Sequence, residues 1–296
     1  MGAGPLGLVN CTIPDRPAPG VGAGSTRHPS KGTSKMESKV WFITGASSGF
    51  GRGVLEPVLE NGDRAVAVAR NTGSLDALAK RHIGKLLVLT ADVRITADVD
   101  AAVAMAEQRF GRIDILLNNA GHGLFGGAEE VTEAELLNVF ETNVFGAMRL
   151  VRAVLPVMRA QGSGHIINIS SAVGHASWPF GGAYAATKHA IEALSEALQA
   201  EVAPLGIRVT VVNPGYFATG FAGSMPMAAA NPAYQAMRDQ VLSGFGAMAA
   251  GNPDEVVEAI LNAARDAGAP FRHFVGEDGK VWARESLSTR LQAVGA

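Results

Sequence analysis

From residue 39 onward the chain alternates short apolar runs with longer segments whose apolar residues recur every third or fourth position. The runs cover residues 40–43, 65–69, 86–89, 113–117, 166–169 and 207–212, with a weaker one at 271–275. They are rich in Val and Ile and bounded by Gly, Asn or Asp, the pattern of parallel strands buried on both faces. The segments between them are long enough for crossover helices. In one, Ile191, Leu194, Leu198, Val202 and Leu205 make a single apolar stripe. In another, residues 253–267, Val256, Val257, Ile260 and Leu261 do the same. This alternation predicts an α/β fold built on a doubly wound parallel sheet of about seven strands flanked by helices.

Residues 1–37 break the pattern. They are rich in Gly, Pro, Ser and Thr and show no sustained periodicity, so a flexible tail is expected there. Its basic residues weakly resemble a transit peptide, but the plainer reading is an extension outside the folded unit, and Met36 offers an alternative start. Residues 38–296 are then expected to form one domain.

Composition narrows the function class. Hydrophobic residues make up 47% of the 296 and charged ones 18%, as in a globular protein. A formal net charge of -2 gives no basic field for nucleic acid. The single cysteine, Cys11, permits no internal disulfide and fits a reducing, cytoplasmic setting. No apolar run is long enough for a transmembrane helix, and no membrane partner is expected.

The first strand runs into TGASSGFGRG, with Gly45, Gly49 and Gly51 at the turn into a helix. Glycine there lets backbone approach a pyrophosphate, and the helix start supplies unpaired N–H groups. The spacing is G-x-x-x-G-x-G rather than the common G-x-G-x-x-G. The second strand ends in Ala69-Arg70-Asn71 without the acid that would hold a ribose 2′-hydroxyl. Arg70 can instead fork onto a 2′-phosphate, so NADP(H) is preferred and NAD(H) is possible. Its plainer reading is a solvated surface arginine. Asp92, after the third strand, is placed to accept from an adenine amino group, or else caps a helix. Asn118, Asn119, Ala120 and Gly121 close the fourth strand, where such sheets bind ligands. Asn143 is an asparagine among apolar neighbours in a helical segment, and needs a partner.

Residues 171–188 read SAVGHASWPFGGAYAATK. Tyr184 and Lys188 lie one helical turn apart and share a face. A free phenol has a pKa of about 10. A cation at about 4 Å in an effective dielectric of about 20 is worth roughly 4 kcal/mol, which would bring that phenol towards neutrality. Between Ser171 and Tyr184 come Trp178 and Phe180, and after the sixth strand come Pro214, Gly215, Tyr216, Phe217 and Thr219. Residues 216–250 carry Phe221, Met225, Met227, Met237, Phe245 and Met248, which suit an adaptable cover over an apolar ligand or, alternatively, an ordinary core helix.

Together these motifs resemble the short-chain dehydrogenase/reductase family over residues 39 to about 275. They are T-G-x-x-x-G-x-G at 44–51, Asn-Asn-Ala-Gly at 118–121, Asn143, Ser171, Tyr184-x-x-x-Lys188, and Pro214-Gly215 with Thr219. The resemblance implies a single-domain Rossmann-type fold and hydride transfer between nicotinamide and a carbonyl or alcohol. It gives Tyr184 the role of general acid or base, and Ser171 that of polarising the substrate oxygen. Lys188 would favour the phenolate and hold the nicotinamide ribose, and Asn143 would anchor a relay water. The cofactor would contact Thr44, Gly45, Ser47, Ser48, Gly49, Phe50, Gly51, Arg70, Asp92, Asn119, Ala120, Gly121, Tyr184, Lys188, Pro214, Gly215 and Thr219. An apolar substrate would meet His122, Leu124, Phe125, Trp178, Phe180, Phe217 and Phe221 beside Ser171 and Tyr184. No metal is implied. Such proteins pair through long helices, and the Ala-rich stripe after Ala185 is compatible with a homodimer or homotetramer. The rivals are a non-catalytic dinucleotide sensor and a nucleotide-sugar epimerase or dehydratase of the family's extended branch. The intact Asn143, Ser171, Tyr184 and Lys188 argue against the first. The glycine spacing and short C-terminal part argue against the second.

Overall fold

The computed structural model describes residues 38–295, and the expected tail at 1–37 lies outside them. One sheet holds β1 (Val40–Thr44), β2 (Arg64–Ala69), β3 (Leu86–Thr90), β4 (Ile115–Asn118), β5 (Gly164–Ile169), β6 (Ile207–Pro214) and β7 (Arg272–Val275). Every neighbouring pair is parallel, and the order across the sheet is β3-β2-β1-β4-β5-β6-β7. The predicted strand runs are all present with shifted ends. Ile113 is buried but precedes β4, and β6 continues to Pro214, whose missing N–H falls at the strand's end.

The helices are α1 (Gly49–Glu60), α2 (Asp76–Arg81), α3 (Thr96–Phe110), α4 (Glu133–Phe140), α5 (Ala147–Gln161), α6 (Gly182–Val202), α7 (Gly220–Gly223), α8 (Gln235–Ala247), α9 (Pro253–Arg265) and α10 (Glu277–Ala293). They cover both sheet faces because successive strand residues point to opposite sides. Phe42, Val66, Leu116 and Ile166 pack on one side with residues of α3, α5 and α6. Trp41, Ile43, Ile115 and Ile167 pack on the other with α1 and α9. The stripe predicted along α6 ends at Val202. Leu205 is exposed, because a 3-10 turn at Ala203–Leu205 with Pro204 in it turns that residue off the face. Asn143 lies in a π-helical turn, Glu141–Gly146, between α4 and α5. Among the described residues no helix is long and apolar enough to cross a membrane.

The chain builds β1, β2 and β3 outward, then returns to lay β4 against the free side of β1. The two halves diverge at that junction, so a crevice opens beyond the C-terminal ends of β1 and β4.

Candidate active site

The buried Thr44 ties the two sides of this crevice together. Its hydroxyl accepts from the backbone N–H of Asn119 and of Ala120, both at 3.1 Å, and reaches the Leu117 carbonyl at 3.3 Å. Asn119 answers by donating through Nδ2 to the carbonyls of Thr44 (3.0 Å) and Gly45 (3.2 Å). The glycine turn fits under that bracket only because Gly45 and Gly51 carry no side chains. A Cβ on Gly51 would lie 2.5 Å from Asn119 Nδ2 and 2.7 Å from the Gly45 carbonyl oxygen. Gly49 has φ +53 with open space beside it. Ser48 caps α1 without a side-chain bond, and the first turn holds no acid. The N–H groups there therefore retain their capacity for an anion. This cradle fits a dinucleotide's phosphates.

Ser171 follows the end of β5, and its hydroxyl reaches the Pro214 carbonyl at 3.2 Å. It also hydrogen-bonds the Tyr184 phenol. Tyr184 stands in the first turn of α6 with its ring 5.5 Å from that of Phe221. Burial pushes its phenol well above the ordinary tyrosine range, and the Ser171 bond only partly opposes this. Lys188 is buried one turn on. Its Nζ donates to the Ile169 carbonyl at 2.8 Å and lies 5.7 Å from the centre of the Tyr184 ring. Burial pushes this ammonium down to about 8, with the Glu192 carboxylate opposing. The sequence-based expectation that Lys188 draws the phenol towards neutrality is therefore corrected. Burial of the phenol sets the direction, and the Lys188 ammonium is itself desolvated and engaged by a carbonyl.

Asn143 is buried with both ends of its amide engaged. Oδ1 accepts from the His122 N–H at 3.0 Å, and Nδ2 donates to the His122 carbonyl (2.9 Å) and to Thr187 Oγ1 (3.1 Å). A Cβ on Gly121 would come within 3.1 Å of Asn143 Oδ1 and 4.0 Å of Lys188 Nζ. Asn143 thus packs just behind Gly121 and Lys188, which line the cavity.

The cavity measures about 630 Å³. Gly45, Ser48, Gly49, Phe50, Asn119, Ala120 and Gly121 line one end, and Ser171, Tyr184 and Lys188 face the same space. Pro214, Gly215, Thr219, Phe125, Trp178, Phe217 and Phe221 also line it. Lys188 is the charged side chain of this lining.

Several expected residues are elsewhere. Asp92 is gripped by Arg94 through both carboxylate oxygens at 2.6–3.0 Å, so its acceptors are already engaged. That Arg94 bond, with further help from charge, holds its carboxyl below the usual range. Arg70 is exposed at the end of β2, and Ser47 spends its carbonyl on Ser74. His122 turns its Nδ1 to the Gly123 carbonyl at 2.9 Å and does not face the cavity. Leu124 is core. Phe180 forms a second layer, stacked on Phe125 with centroids 5.3 Å apart. It has φ +64, the left-handed region that disfavours a side chain by roughly 1–2 kcal/mol.

Tyr216 and Leu242, from the expected cover segment, also face the cavity, and Trp282 of α10 joins them from outside every sequence-based expectation. Asp278 of α10 accepts from the Tyr216 N–H at 2.7 Å, and its carboxylate would collide with any Cβ on Gly215. The small residues Gly279 and Ala283, buried one turn apart, were the available signal for this close approach.

Residues 39–229 match the family described as short chain dehydrogenase. The chain is 34% identical to Oxidoreductase BOA17 of Botryotinia fuckeliana over 252 residues, which is 83% of this chain and 92% of that one. A crystal structure of a short-chain dehydrogenase from Streptomyces avermitilis superposes with a TM-score of 0.80 at 39% identity, covering 87% of this chain and 96% of the other. A 3-ketoacyl-(acyl-carrier-protein) reductase from Brucella melitensis complexed with NADH superposes with a TM-score of 0.69 at 30% identity, covering 80% and 96%. With its parallel sheet, glycine cradle and Ser-Tyr-Lys cluster, the chain belongs to the short-chain dehydrogenase family of oxidoreductases.

Proposed function

We propose that the chain moves hydride between a nicotinamide dinucleotide and an apolar ketone, aldehyde or secondary alcohol, with NADP(H) preferred. One observation carries this reading: Ser171, Tyr184 and Lys188 face the cavity whose other end is the glycine cradle. The cofactor's part is to supply or accept the hydride. The residues of 44–51 and 119–121 would hold its phosphates and ribose, with Pro214, Gly215 and Thr219 at the nicotinamide end. Arg70, exposed beyond β2, would meet a 2′-phosphate.

The chain's own residues handle the proton. A phenol whose pKa is raised by burial is protonated at neutral pH, which suits proton donation to a carbonyl oxygen. Ser171 would turn its hydroxyl from Pro214 to that oxygen as negative charge develops there. Lys188 would lend positive charge beside the phenol once the proton leaves. Asn143 would keep the Lys188 end of a proton path in register through its grip on His122 and Thr187. The lining's aromatic and aliphatic character favours an uncharged substrate, with residues 216–250 as its cover. Pairing through long helices and a cytoplasmic location belong to the same proposal.

The test is Tyr184→Phe, assayed by nicotinamide absorbance against ketones and aldehydes. Turnover should fall by roughly 10²-fold or more, the usual contribution of a positioned acid, while cofactor affinity is retained. Undiminished turnover would remove Tyr184 from the chemistry.

A further inference from the structure

We infer that Arg238 and Glu130 are a positioning pair that fixes the apolar wall of the cavity and so sets which sizes of substrate are turned over. The inference rests on the proposed reductase reading for its substrate class, but its structural part can be tested alone.

Glu130 lies between β4 and α4 with its side chain wholly buried. Oε2 accepts from the Gly127 N–H and from Arg238 Nη1, both at 2.8 Å, and Oε1 accepts from the Asn231 N–H at 2.8 Å. Arg238 comes from α8 and is almost as deeply buried. Its Nη2 donates to the Ala228 carbonyl at 3.1 Å. Its guanidinium sits 5.0 Å from the centre of the Phe125 ring and 5.9 Å from that of Phe180. One side chain therefore joins α8 to the loop after β4, to the segment at 228–231 and to the Trp178–Gly181 bend. The left-handed Phe180 is held in the same knot, because its carbonyl accepts from the Gly126 N–H at 2.8 Å.

The link to the cavity follows from helical spacing. Arg238, Leu242 and Phe245 stand at i, i+4 and i+7 on α8 and share a face. Leu242 and Phe245 line the cavity, and Phe245 meets Trp178 edge-on with centroids 5.3 Å apart. Phe125 lines it as well and pairs through its backbone with the segment carrying Met227. Arg238 and Glu130 are absent from the lining, so they act through Phe125, Leu242 and Phe245 rather than on the reacting atoms. A buried ion pair is weak as a source of stability, because desolvation offsets its attraction. Fixing a unique arrangement of the three segments is the use this geometry supports.

The experiment compares wild type, Arg238→Met, Arg238→Lys and the uncharged double variant Arg238→Met with Glu130→Met. Backbone hydrogen exchange over residues 226–247 is measured first. Arg238→Met should exchange at least tenfold faster there, with the sheet unchanged. Arg238→Lys should recover part of the protection. The ratio of kcat/KM for a bicyclic aryl ketone to that for a small aliphatic ketone should then shift at least tenfold, chiefly through KM. Cofactor Kd, read by fluorescence, should stay within twofold. If Arg238→Met does not fold, the double variant decides, since it leaves no uncompensated charge. Wild-type exchange and an unaltered substrate ratio in either folded variant would overturn the inference. If wild type reduces no carbonyl, the functional reading fails while exchange still decides the role of the pair.

Discussion

The Lys188 ammonium lies 5.7 Å from the centre of the Tyr184 ring, one turn along the same helix, and is tied to the Ile169 carbonyl. Its burial sets a stability signature. The native pKa is pushed down to about 8 from the ordinary lysine value, so the unfolded chain binds more protons between about pH 8 and 10.5. Stability therefore rises with pH across that window, and below it the buried charge costs on the order of 3 kcal/mol. Lys188→Met should be more stable than wild type at pH 7 and should lose activity. Its stability advantage should shrink between pH 8 and 10.5 in urea titrations. An advantage independent of pH would mean that Lys188 does not bear this penalty.

His165 makes the opposite end of the pH range informative. It is buried in β5 with Nε2 2.8 Å from Thr210 Oγ1, and burial, with nearby Arg208, holds its pKa down to about 3. The unfolded imidazole takes up a proton from about pH 6.5 downward while the native one does not, so stability is lost as pH falls from 6.5 towards 3. The loss at pH 4 amounts to about 3 kcal/mol. His165→Gln should flatten the decline in Tm between pH 6.5 and 4. An equally steep decline would place the acid sensitivity elsewhere.

Gly51 tests the cradle by sterics alone. Gly51→Ala puts a methyl 2.7 Å from the Gly45 carbonyl oxygen, a backbone atom that can move only by distorting the turn. Overpacking of this kind typically destabilises by about 1–3 kcal/mol. Nicotinamide dinucleotide affinity should fall at least tenfold in fluorescence titration. Retained affinity would show that the turn is not part of the binding surface.

Arg70 is exposed at the end of β2, where neither Asp nor Glu stands beside it in the sequence. A charge-assisted hydrogen bond contributes roughly 1.5–3 kcal/mol, equivalent to about tenfold or more in affinity. Arg70→Asp should lower the ratio of kcat/KM for NADPH to that for NADH by at least that factor. A constant ratio would mean that another residue chooses the cofactor.

Much of the architecture is legible in the sequence because strands and helices carry their periods locally. The strand runs, the α9 stripe and the glycine turn lie where those periods put them. The places of Ser171, Tyr184 and Lys188 follow in turn, since each is fixed by its offset from a strand end or helix start. Environment is another matter. Burial holds the Tyr184 phenol above its ordinary range because many elements together exclude water from it, which no spacing records.

Asp92 shows the same limit in a single side chain. Its position after β3 is plain from the sequence, but its engagement by Arg94, two residues on, depends on a turn that folds the guanidinium back. His122 and Phe180 share it, since each has the right place in the chain and the wrong direction for the cavity. The order of the strand and helix signals, the glycine turn and the spacing of Ser171, Tyr184 and Lys188 are all encoded within a few residues of chain. The cavity's wall is set by long-range packing. Trp282, Leu242 and the buried Arg238–Glu130 pair come from segments far apart in the chain, and contacts of that kind are settled by packing rather than by local pattern.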